Sequence, residues 1–125
     1  MADIQIQTTR EIVDRLTDFA DRYPYQVRVA VIRVLQEILT ESKKICPTKT
    51  GYLRGSGYVA DPGVEDGRIT AYIGYSAGYA WWVHELIENY HHPPTQAKFL
   101  ETPLQMYGDN IPQAVVDEVN RILGV

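Results

Sequence analysis

The clearest pattern in the chain is a run of apolar residues spaced three and four apart: Val27, Ala30, Val31, Val34, Leu35, Ile38, Leu39 and Ile45. That spacing keeps one face of an α-helix apolar. Arg28, Arg33, Glu37, Glu41, Lys43 and Lys44 fill the other face, and the two lysines sit near the negative C-terminal end. At 1.5 Å per residue, about 20 residues make a rod of roughly 30 Å, long enough to cross a small domain. Cys46-Pro47 closes it. Upstream, Ile12, Leu16, Phe19 and Ala20 predict a helix over 9–22, with Thr8 and Glu11 at capping-box spacing and Pro24 as its end or turn. Residues 1–8 read as an extended arm, so the helical part covers 9–45.

After the turn Pro47-Thr48-Lys49-Thr50-Gly51 the period drops to two. Ser56, Tyr58 and Ala60 alternate with Gly57 and Val59; Ile69, Ala71, Ile73 and Tyr75 alternate with Thr70, Tyr72 and Gly74. This predicts an antiparallel hairpin over 51–75, joined by a turn-rich, acidic and mobile surface loop at 61–67. Two strands alone are marginal, so a third strand, the long helix or another subunit is needed to complete them. Helical spacing returns in Tyr79, Trp82, Val83, Leu86, Ile87 and Tyr90 and stops at Pro93-Pro94. A docking loop then leads to Ala97, Phe99 and Leu100, giving a helix-and-loop unit over 79–100. Thr102-Pro103 suits a short turn. Ile111, Val115, Val119, Ile122 and Leu123 predict a last helix within 103–125, starting near Asn110. The fold class expected is α+β: long N-terminal helices, a small antiparallel sheet, a central amphipathic helix and a C-terminal helix.

Composition adds bounds rather than a function. A chain of 125 residues with 45% hydrophobic residues suits one domain with a real core. A net charge of −4 argues against a nucleic-acid binder, though a mildly acidic wall would let DNA pass. One cysteine, Cys46, excludes an internal disulfide. Met-Ala-Asp-Ile-Gln carries no basic region or apolar run, so no signal peptide is expected, and no stretch approaches a membrane span.

Candidate chemistry concentrates in 78–100, which holds both tryptophans and all three histidines. His84-Glu85-Leu86-Ile87-Glu88 approaches the His-Glu-x-x-His string of zinc hydrolases, in which two histidines four apart share a helix face. Glu88 stands where the second histidine belongs; His91 follows on the same face. The competing reading is a His84–Glu88 pair on a solvated or subunit-facing surface. Trp81 falls with His84, Glu85 and Glu88 on the polar side, where a large aromatic suits an interface anchor. Cys46 has lysines nearby but ends a helix at its C-terminus, which disfavours a thiolate; it reads as structural. Gly51, Gly55 and Gly57 do not form a phosphate loop. Nine tyrosines without a basic groove read as sheet residues rather than a stacking platform.

Pro47-Thr-x-Thr50-Gly51-x-Leu53-Arg54-x-Ser56, then Tyr79-Ala80 with Val83 and Glu85, then Phe99-Leu100 before a terminal helix, together resemble a family of tailed-phage tail-completion, neck or head–tail joining proteins, sometimes labelled minor capsid proteins. The likeness runs from about Val27 to Leu123. Many members follow the glutamate with Gly-Thr, where this chain continues Leu86-Ile87. The resemblance implies a non-enzymatic, cofactor-free virion structural protein of the head–tail junction, made in the bacterial host cytoplasm. It would assemble as a homo-oligomeric ring against portal or adaptor proteins and tail-tube or tail-terminator proteins, with genome DNA passing through and no membrane partner. It also implies strand pairing between subunits and an acidic 61–67 loop lining the channel. Interface candidates are Thr50, Gly51, Leu53, Arg54, Ser56, Glu65, Asp66, Trp81, His84, Glu85, Glu88, His91 and His92, with Arg54 pairing Glu85 or Glu88 of a neighbour. A minor capsid or tail-terminator position is the alternative, and a zinc hydrolase built on His84-Glu85 the distant one.

Overall fold

A computed structural model describes residues 10–46, 51–65, 68–77 and 99–124. The fold is α+β, and the long helix organises it. Helix α1 runs Arg10–Arg22 and α2 runs Pro24–Ile45. Pro24 does not merely end α1. It opens α2 from the first helical position, where its fixed φ suits a helix and its missing N–H costs nothing. Thr8, the expected capping partner of Glu11, lies outside the described residues.

The stripe on α2 is divided between two cores. Val27, Ala30, Val31, Val34, Leu35 and Ile38 pack with Val115 and Val119 of the last helix, α5 (Ile111–Leu123), with Leu16 and Phe19 of α1 at the margin. Helix α1 is a cover rather than a core element: Ala20 is its one buried residue, while Ile12, Leu16 and Phe19 are half-buried. The C-terminal half of α2 contributes Leu39, which joins Cys46, Leu53, Tyr75, Ala77, Phe99 and Leu100. The short helix α4 (Glu101–Tyr107) follows, with Pro103 buried in its first turn. A single 3₁₀ turn, Gly108–Asn110, links α4 to α5. The last helix thus starts next to Asn110, as expected, and the short turn expected at Thr102-Pro103 is a helix of its own. Arg33 of α2 bonds Glu118 of α5 at 2.8 Å and ties the two helices across an open groove, while Arg121, in the same helix as Glu118, meets it at 3.4 Å.

Residues 51–56, expected to open the hairpin, instead form a helical turn, α3 (Tyr52–Gly55). The ribbon itself is β1 (Gly57–Val59), β2 (Gly63–Glu65), β3 (Arg68–Thr70) and β4 (Ile73–Tyr75). β1 pairs β4, with Gly57 opposite Tyr75 and Val59 opposite Ile73; β2 pairs β3, with Gly63 opposite Thr70 and Glu65 opposite Arg68. Three residues, Ala60 to Pro62, separate the ladders on one arm, whereas Ala71 and Tyr72 separate them on the other. The extra residue is a β-bulge. The stretch read as a mobile loop at 61–67 is thus partly structured: Pro62 is buried and Gly63–Glu65 is a strand.

Arg28 of α2 fixes the bulge. Its Nε donates to the Pro62 carbonyl at 3.0 Å, and its Nη2 reaches Asp61 Oδ2 at 3.0 Å. At the inner end, β1 lies so close to α2 that a Cβ on Gly57 would fall 2.9 Å from both Leu39 Cδ1 and Lys43 Cε. The missing side chain sets the distance between ribbon and helix. Gly57→Ala is expected to lower the unfolding free energy by about 1–3 kcal/mol through overpacking against Leu39, measured by urea denaturation.

Candidate assembly interface

Gly51, Leu53, Arg54 and Ser56 of the sequence motif form one joint, at the place where the long helix hands over to the ribbon. Gly51 takes φ 75°, the left-handed conformation that turns the chain into α3. Leu53, an interface candidate from sequence, is instead 4% exposed and belongs to the second core of its own chain. Arg54, half-buried, folds back so that Nη2 donates to the Cys46 carbonyl at 3.1 Å. A cation is thereby placed at the negative end of α2, where it is electrostatically favoured. Its Nε is buried without a hydrogen-bond partner among the described residues.

Ser56 is the staple of the joint. Its hydroxyl donates to the Leu53 carbonyl at 2.8 Å and accepts from the Ala77 N–H at 3.1 Å. Its own carbonyl accepts from the Ser76 N–H at 3.0 Å. The entry to β1 and the exit from β4 are therefore locked side by side. Glu65 ends β2 opposite Arg68, at the outer end of the ribbon. Thr50, Asp66, Trp81, His84, Glu85, Glu88, His91 and His92 lie outside the described residues, as does the expected pairing of Arg54 with Glu85 or Glu88.

Beneath the joint is a buried polar chain that sequence reading missed. The Ser42 and Tyr75 hydroxyls lie 2.7 Å apart, and Ser42 is fully buried. Tyr75 also meets Phe99 edge to face, with ring centroids 5.0 Å apart. The signal for Ser42 was its position, four residues after Ile38 and within the apolar stripe of α2. A serine there requires an internal partner. The Cys46 thiol lies beside the same phenol. Burial pushes the thiol up to about 11, against the opposing pull of the Arg54 cation, and pushes the Tyr75 phenol up to about 12. Cys46 is thus a neutral, enclosed thiol, unsuited to nucleophilic work.

On the opposite face of the ribbon, Tyr58 is 46% exposed and Tyr72 is 67% exposed. Gly57 faces α2, so Tyr58 turns away from it; Tyr72, level with Ala60 across the ribbon, shares that outer face. Exposed aromatics of this kind are favoured in interface centres. Among the described residues, no three His, Cys, Asp or Glu side chains come together as a metal site, and no helix is long and apolar enough to cross a membrane. Comparison with protein-family profiles, curated proteins and solved structures finds no match.

The two buried groups make stability fall at high pH. Each ionises in the unfolded chain near its ordinary value, 9.0 for the thiol and 10.0 for the phenol, but stays protonated longer when folded. Their contribution is complete below about pH 9 and is lost as pH rises through about 11 and then about 12. Denaturation midpoints measured from pH 8 upwards should decline, and Cys46→Ala should flatten the first part of that decline.

Proposed function

We propose that this chain is a structural protein of the head–tail junction of a tailed bacteriophage, acting as one subunit of a neck or tail-completion ring. One observation carries the reading: Gly51, Leu53, Arg54 and Ser56 of the Thr-Gly-x-Leu-Arg-x-Ser motif form a single joint between a long helix and a small antiparallel ribbon. Such a joint suits a protein that works by contacts. It holds the ribbon at a fixed angle to a rigid rod, so a surface built on the ribbon is presented in one geometry.

Arg54 has two parts in this reading. Nη2 closes α2 internally, while the half-buried guanidinium is the candidate for an ion pair with Glu85 or Glu88 of another subunit. Trp81, on the helix face shared with His84 and Glu85 in sequence, is the aromatic anchor of the same surface. The ring would surround the DNA path and meet portal or adaptor subunits on one side and tail proteins on the other. A catalytic centre plays no part.

Removing the gene from the phage that encodes it should yield DNA-filled heads and finished tails that remain separate in electron micrographs; normally joined particles would overturn the proposal. In complementation, Arg54→Ala and Trp81→Ala should each restore joining poorly, by about tenfold or more, if each removes more than about 1.4 kcal/mol of contact energy. Stoichiometric zinc in the purified protein, lost in His84→Ala, would instead favour the hydrolase.

A further inference from the structure

We infer that the outer hairpin, β2 with β3, opens as a unit about the Asp61-Pro62 bulge, with Arg28 of α2 as its latch. The hinge is a property of the fold and holds whatever the chain assembles with. The bulge divides the ribbon into two ladders that are held very differently. The inner ladder is tied to the body by buried groups. Tyr75 bonds Ser42 at 2.7 Å and meets Phe99 edge to face, Ala77 is buried, and Gly57 lies against Leu39. Ser56 bonds the entry of β1 to the exit of β4.

The outer ladder is held from one side only. Val64 and Ile69 reach the flank of the first core and stay half-buried, while Gly63, Arg68 and Thr70 are exposed. None of the described side chains of β2 and β3 is buried. The inner ladder closes with the Ala60 N–H donating to the Tyr72 carbonyl at 2.8 Å, and pairing resumes at Gly63 with Thr70. Segments with few buried apolar contacts open locally, at a free energy well below that of global unfolding.

Arg28 holds the crossing point. Its Nε bond of 3.0 Å falls on the Pro62 carbonyl, which belongs to the peptide that leads into β2. Swinging β2 away from α2 turns that peptide and breaks the bond. Pro62 itself is buried, so the pivot stays seated. The second contact, to Asp61 Oδ2, joins side chains that are 45% and 75% exposed and adds little. A charged donor on a part-buried carbonyl is the stronger of the two. Opening bares the apolar sides of Val64 and Ile69 and leaves the Ser42–Tyr75 bond and the Ser56 staple intact. The tip of the ribbon can thus change direction while the joint keeps its own, as a hinge of a few residues between packed elements allows.

Residue-resolved amide exchange of the full chain, with and without low urea, tests this. The ladder phase places the Tyr58 and Gly74 N–H groups in the inner bonded pair. The slowest amides of β2 and β3 should exchange about a hundredfold or more faster than these two. They should depend little on urea, because a local opening exposes little surface. Arg28→Ala should quicken the outer amides by about tenfold more and leave Tyr58 and Gly74 within about threefold. Asp61→Asn should leave both ladders within about threefold. Equal rates and equal urea dependence in the two ladders would overturn the hinge, since the ribbon would then open only with the whole fold. Arg28→Ala quickening both ladders alike, quickening neither, or unfolding the chain would overturn the latch. An Asp61→Asn effect as large as that of Arg28→Ala would overturn the Pro62 carbonyl as the point it holds.

Discussion

Everything described in this fold depends on how α2 divides one apolar stripe between two cores, which Val59, Ile73 and Leu104 bridge. Its first half, from Val27 to Ile38, is covered by α5, the margin of α1 and the outer ribbon residues Val64, Ile69 and Ala71. Its second half meets the ribbon, the α3 joint and the Phe99-Leu100 turn. The helix is therefore both the wall of one core and the floor of another. Hydrophobic burial of a stripe of this length is the main favourable term available to a chain of 125 residues. It also fixes geometry, because a rigid rod shared by two cores sets where each lies relative to the other.

The contact at the floor is unusually close, and polar groups rather than apolar ones settle its details. Gly57 lets the ribbon settle against Leu39 and Lys43. Ser42 and Tyr75 bond each other in the gap, with Cys46 beside them. A buried hydroxyl pair contributes modest net stability, but leaving one member alone is costly, so the pair specifies which residue of β4 may sit over which turn of α2. Ser56 and Arg54 then lock the ends of this arrangement from outside the core. The motif residues thus act on the attitude of the ribbon, and any partner would sense them through the surface they hold in place.

Much of this was legible in the sequence, unevenly. The stripes of α1, α2 and α5 were readable because helical periodicity extends over several turns, and their observed ranges match the pattern closely. The strands were readable as alternation, but the register shift at Asp61-Pro62 was not, since one extra residue on one arm leaves the alternation on each arm intact. Helix α3 was hidden because its four residues, Tyr52–Gly55, are too few to show a period. Leu53 was assigned to an interface from its motif, although an isolated leucine after a turn is as readily a core residue, which it proves to be. The outward-facing tyrosines were counted as ordinary sheet residues, because composition does not tell which face of a ribbon a helix will cover. The stretch around Trp81 and His84 lies outside the described residues.

The bulge at Asp61-Pro62 has a meaning beyond the shape of one hairpin. An exposed strand is a template that does not discriminate among visitors, and a long flat one invites fibrous stacking. Here the usable stretch stops after Val59: the arm kinks, Pro62 offers no N–H, and Arg28 already occupies the Pro62 carbonyl. A visiting strand therefore meets a docking strip three residues long. A strip that short cannot hold a stray segment by backbone bonds alone. It rewards only a visitor brought into place by many contacts at once, so the same kink that interrupts the hairpin also acts as a filter against accidental polymerisation.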